Sequence, residues 1–207
     1  NLLREAFTNM PTLKPHERSR VLWAATSLGD DVSREACILT ALTDPDPNIR
    51  ITALRAARQL WQQKQPEKLR EVIHSMFGKE EDTPITPASV AREAALALRF
   101  DFSEDASGIW VGLWQTFQPQ DKFMSEALGV SADLCWKQRF DILGTPHVIG
   151  PGRENAAALI ISRSRFALSP EIVSTMLYNS DDAEAFPKIR DWLRGHKFLF
   201  LRSLQLL

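Results

Sequence analysis

The chain has 207 residues, 44% hydrophobic and 25% charged, with a mean hydropathy of -0.21, the composition of an ordinary folded protein with a sizeable core. Its 25 basic and 26 acidic side chains give a net charge of -1, which excludes a global field able to hold it on nucleic acid or an anionic membrane and leaves room only for a local basic groove. Two cysteines far apart, Cys37 and Cys135, exclude a disulfide framework and a CxxC metal or haem-attachment motif, and no apolar run approaches the ~20 residues of a membrane span.

Prolines, aspartates and glycines punctuate helical patterns along the whole chain, and sustained period-2 alternation is absent. The chain opens in helical NLLREAF. Pro15 to Leu28 follows as a long helix stopped by Gly29, and Asp31 caps Val32 to Leu42. The turn DPDP from Asp44 starts Pro47 to Gln63, with Pro47 in the first helical position, Asp46 as cap, and Ile49, Ala53, Leu54, Ala56, Ala57 and Leu60 lining one wide apolar face. Pro66 to Phe77 is its partner. An acidic loop, Gly78 to Thr86, leads to a helix from Pro87 to Phe100. Ala106 to Phe117, then a helix begun by Asp121 and running to Val130, then Ala132 to Leu143 come next. Beyond a glycine-rich loop, Gly144 to Gly152, the patterns predict helices over Arg153–Ser164, Pro170–Tyr178, Ala183–Arg194 and Lys197–Leu207. Both ends lie inside helical patterns, so residues 1–207 read as a single repeat domain excised from a longer protein.

Aligning Arg50 with Arg92 matches Ile49-Arg50 and Ala53-Leu54 with Ala91-Arg92 and Ala95-Leu96, an offset of 42 residues. That falls within the HEAT and armadillo period of about 40 to 47 residues. Weaker echoes lie at Arg20 to Ala24, at Glu126-Ala127-Leu128 and at Arg153 to Leu159. The expectation is an all-α fold, an α-solenoid of about five HEAT-like helical hairpins in which stacked pairs bury one continuous core.

Polar motifs give little chemistry. Asp44 and Arg50 read as turn and inter-repeat contacts rather than as a charged site. Gly150 to Asn155 lacks the third glycine and the preceding strand of a dinucleotide-binding turn. The segment Gly129 to Asp133 lacks the second glycine and the strand of a nucleophile elbow. His16, His74, His147 and His196 sit on separate elements with no ligand spacing. No catalytic, cofactor-binding or metal-ligating residue is assigned. Six tryptophans are many for this length, and most read as core. Trp110 and Trp114 share a helix face with Phe117 nearby, and Trp61, beside Gln62, Gln63 and Lys64, reads as partly exposed. Arg50, Trp61, Arg92 and Trp114 are therefore the residues to test for an interaction surface.

The run VLWAATSL, DPDPNIRITALRAARQLW, SVAREAALALRF, DKFMSEALGV, with the later RENAAALIISRSR and KIRDWLRGHKFLFLRSLQ, resembles the HEAT-like segment of large planctomycete-type membrane-bound dehydrogenases. In those proteins a sugar-dehydrogenase-like β-propeller precedes the segment and a c-type haem-binding domain follows it. The resemblance implies a non-catalytic, cofactor-free connector, periplasmic or otherwise exported as part of its parent. Its partners would be proteins, either flanking domains or another chain, with no nucleic acid and no membrane contact by the segment itself. Two rival readings are a HEAT-like DNA glycosylase, which would use a basic concave face, and a HEAT-like lyase or chaperone.

Overall fold

Short polar caps and prolines set the ends of seven helices in the computed structural model, which describes residues 12–77, 86–117, 121–135 and 138–139; no strand occurs among the described residues. Helix α1, Pro15–Leu28, starts on a proline, and the Glu17 carboxylate accepts the Lys14 N–H at 2.8 Å. It ends at Gly29, where φ is -72°, so the glycine is required by space rather than by backbone angle: a Cβ there would meet the Ala25 carbonyl oxygen at 2.5 Å. Asp30, not Asp31, caps α2, Asp31–Leu42, by accepting from the Ser33 N–H at 2.8 Å. Asp46 does the same for α3, Pro47–Trp61, through the Asn48 N–H. Helix α3 stops two residues short of the expected Gln63. The N–H groups of Lys64 and Gln65 turn back onto the Trp61 carbonyl, and Pro66 disfavours helical geometry in the residue before it.

Helix α4, Pro66–Phe77, matches its predicted limits, whereas α5, Ala88–Ala97, gives way to a turn at Leu98 before the expected Phe100. Ser103 caps α6, Glu104–Thr116, and is itself held by the Asp101 carboxylate through both its N–H and its hydroxyl. Asp121 caps α7, Lys122–Ala132, which buries Gly129 and runs two residues past the expected Val130.

The chain divides into two compact units, Asn1–Ala97 and Leu98–Leu207. In the first, α3 is the hub: it packs on α1, α2, α4 and α5, and α2 also packs on α1. Arg18 near the start of α1 reaches Asp44 just ahead of α3, so the N-terminal ends of α1 and α3 lie together. Glu35 of α2 and Lys68 of α4, both near their helix starts, form an ion pair in the same way. With α3 packed on both α1 and α5, these three helices are grouped as one layer, and α2 and α4, each packed on α3, as the other. Leu22, Ile38, Ile49, Leu54 and Ile73 are fully enclosed. Each such side chain contributes about 1.5–3 kcal/mol, against about 0–1 kcal/mol for a partly exposed pair such as Glu35–Lys68, so apolar burial outweighs that pair.

In the second unit, α6 contributes Trp110, Leu113 and Trp114 to the core and α7 contributes Met124 and Leu128. Trp110 donates its indole N–H to the Ser131 hydroxyl at 2.8 Å and to the Leu128 carbonyl at 3.2 Å, which satisfies the one polar atom of a fully buried ring.

One register recurs along the chain. The residues just ahead of α1, α3, α5 and α7 are Lys14, Asp46, Pro87 and Asp121, spaced by 32, 41 and 34 residues. The buried positions shift by the same steps: Leu22 and Ala25 correspond to Leu54 and Ala57, Ile49 and Ala53 to Val90 and Ala94, and Val90 and Ala94 to Met124 and Leu128. The match of Arg50 with Arg92 is therefore out of step by one residue, since burial sets the α3-to-α5 offset at 41 rather than 42. The expected N-terminal helix, the acidic loop up to Ile85, half of Ala132–Leu143, the glycine-rich loop and the four helices from Arg153 onward lie outside the described residues.

Candidate interaction face and buried polar clusters

The four residues singled out for an interaction surface occupy different settings. Trp61 is not partly exposed but 3% accessible, with the Lys68 ammonium 5.1 Å from its ring centroid and that ammonium also paired with Glu35. The polar run after Trp61 is a turn that leaves the ring folded under α4, which corrects the expectation. Trp114 is fully buried and meets Phe117 edge-to-face at 5.6 Å, so the α6 aromatics fill the core rather than line a surface. Arg50 and Arg92 are half-buried on α3 and α5. The Arg50 Nε is enclosed with no hydrogen-bond partner. Asp44 takes its cation from Arg18 instead: the carboxylate meets Arg18 Nε at 2.8 Å and Nη2 at 3.0 Å, and it also accepts the Asp46 N–H at 2.8 Å. The aspartate holds the turn, as the sequence suggested, but its tie runs back to the preceding helix of its own layer.

Sequence reasoning missed a second carboxylate. Glu93 of α5 is 6% accessible and receives two guanidinium groups of α3, Arg55 Nε at 3.0 Å and Arg58 Nη1 at 3.5 Å. Desolvating a carboxylate costs several kcal/mol unless cations compensate, and two arginines leave a positive surplus here. That surplus belongs to a wider segregation. Helices α1, α3 and α5 carry six arginines against two glutamates, Glu17 and Glu93. Helices α2 and α4 carry four acidic side chains against three basic ones. The signal was present in the letters, since no acidic residue interrupts PNIRITALRAARQLW, but a whole-chain charge of -1 hides it.

In the second unit Arg139 is fully buried. It donates to the Ser107 hydroxyl at 2.8 Å, the Asp101 carbonyl at 2.8 Å and the Leu98 carbonyl at 3.1 Å, which ties the turn before α6 to the residues after α7. Arg99 and Asp133 add an ion pair at 3.4 Å. Burial lowers the pKa of Arg139 and raises that of the neighbouring Cys135 thiol, against which the guanidinium pulls in the opposite direction. Cys37 is pushed up to about 11 by burial alone. Both thiols stay protonated at neutral pH, the opposite of what a nucleophile or metal ligand needs. The exposed Asp30 is lowered by the Ser33 N–H it accepts, as a capping carboxylate is. Among the described residues no three His, Cys, Asp or Glu side chains gather as metal ligands would, and no helix there is long and apolar enough to cross a membrane.

No family model, no curated protein and no solved structure matches the chain.

Proposed function

We propose that the chain is a non-catalytic α-solenoid of HEAT-like hairpins, a scaffold and protein-interaction module that positions its neighbours within a larger, exported oxidoreductase. The observation that carries the scaffold reading is the shared register of caps and buried faces at Lys14, Asp46, Pro87 and Asp121. A unit copied along a chain buries its apolar face on its neighbours and leaves long sides free for partners. Among the described residues, the ion pairs and hydrogen bonds of Arg18, Glu93 and Arg139 tie one element to another, which supports a structural reading of these groups. Placement within an oxidoreductase rests on the resemblance of DPDPNIRITALRAARQLW and SVAREAALALRF to such segments. An export signal and propeller upstream, with a CxxCH downstream in the full reading frame, are the expected finding; their absence overturns that placement.

The scaffold reading is tested by removing residues after Ala97, where the compact units divide. A repeat array loses stability when shortened but keeps folding. The fragment is expected to retain helical circular dichroism and a cooperative melt, and an unfolded fragment would refute the repeat reading. Tight haem copurification with the 207-residue chain would refute its non-catalytic part.

A further inference from the structure

The α1–α3–α5 layer gathers positive charge on a chain whose total charge is -1, and its exposed side also carries an aromatic ring. Arg20 and Trp23 of α1 are exposed, the latter 39% accessible, and the side chains of Arg55 and Arg58 on α3 are 55% and 36% accessible. Within the layer, Arg55 and Arg58 share the single carboxylate of Glu93. From this we propose that the face is a docking surface for an acidic polypeptide segment, whose carboxylates meet Arg20, Arg55 and Arg58 while an apolar side chain covers Trp23. The inference names the partner class of the interaction module and rests on that reading.

Charge complementarity selects the occupant. Arginine forks fit carboxylates with two parallel hydrogen bonds, and exposed tryptophan and arginine are the residue types that anchor protein interfaces. A nucleic-acid strand fits less well. Its affinity comes from neutralising a long run of phosphates, and here only three accessible guanidiniums are offered, two of them already shared with Glu93.

The test titrates the full 207-residue chain, by tryptophan fluorescence and calorimetry, with three probes of equal length: a Glu/Asp-rich peptide with a central Phe, its Gln/Asn counterpart, and a single-stranded oligonucleotide. The acidic peptide is expected to bind, at least tenfold tighter than the neutral one, and to weaken as salt rises from about 50 to 200 mM. Arg20→Gln combined with Arg55→Gln should weaken it about tenfold, while Arg34→Gln on α2 should change it less than twofold. Arg20→Gln alone leaves the Glu93 clamp intact and should still give a measurable loss, which separates lost binding from lost packing. Equal binding of the neutral peptide, tighter binding of the oligonucleotide, or no binding of the acidic peptide overturns the proposal. If binding fails while the fragment ending at Ala97 still folds, the charge assignment falls and the repeat reading stands.

Discussion

Replacing Asp44 by alanine removes three contacts at once: two to the Arg18 guanidinium and one to the Asp46 N–H. The Arg18 and Asp44 side chains are only 11% and 7% accessible, so the variant leaves a mostly buried guanidinium without its counter-charge. Breaking a fully buried pair costs about 3–5 kcal/mol; some solvent reaches this one, which brings the expected loss to about 2–4 kcal/mol. Urea denaturation followed by circular dichroism measures it. Arg18→Met with Asp44→Ala should be less destabilising than the sum of the single changes, with a coupling of about 1–3 kcal/mol. Arg50→Met should cost under about 1 kcal/mol and should not couple to Asp44, since the pair is made by Arg18. A loss below about 1 kcal/mol for Asp44→Ala, or coupling to Arg50 in place of Arg18, would refute the argument that this ion pair ties α1 to the start of α3.

Three further outcomes follow from local geometry. Gly29→Ala should destabilise by about 1–3 kcal/mol because its Cβ would meet the Ala25 carbonyl at 2.5 Å; backbone entropy alone predicts a gain, so the sign of the shift in thermal midpoint decides. Arg139→Met strands the Leu98 and Asp101 carbonyls and the Ser107 hydroxyl but relieves the buried charge, a net loss of about 2–4 kcal/mol in guanidinium denaturation; an unchanged midpoint would show those groups find other partners. For Cys37 the folded thiol is raised to about 11, so the unfolded chain ionises first as pH rises above about 9. Stability is therefore intact below that pH and falls by about 2–3 kcal/mol towards pH 11, a slope that Cys37→Ala should flatten.

Helix starts were legible to within one residue where a proline or aspartate marked them, and α1 and α4 match their predicted spans. Stops were less legible where they depend on tertiary contacts. Helix α7 runs two residues past the expected Val130, and α5 stops three residues before the expected Phe100. The repeat was visible, but letter matching slipped by one because alanine, leucine and arginine coincide often in such helices, whereas burial shows which letters face inward. The candidate surface fared differently. Trp61 followed by glutamines and a lysine looks exposed, and the arrival of Lys68 of α4 over its ring reverses that reading. Arg18 and Asp44 are 26 residues apart, and Arg55 and Glu93 are 38 apart, distances over which no local pattern identifies a partner. The basic layer becomes visible only once the helices are sorted into layers.

The spacing of 32, 41 and 34 residues between cap positions also marks where this polypeptide tolerates growth. Helix α3 is one residue longer than α1, and α4 equals α2 in length, so most of the surplus over the first interval falls in sequence between α4 and α5, residues 78–87. Length has been added outside the copied cap and face, at a cost that rises only with the logarithm of the loop. That junction is accordingly the place to graft a fluorescent protein or an affinity tag, in mid-chain, while leaving both neighbouring helices their native starts and stops.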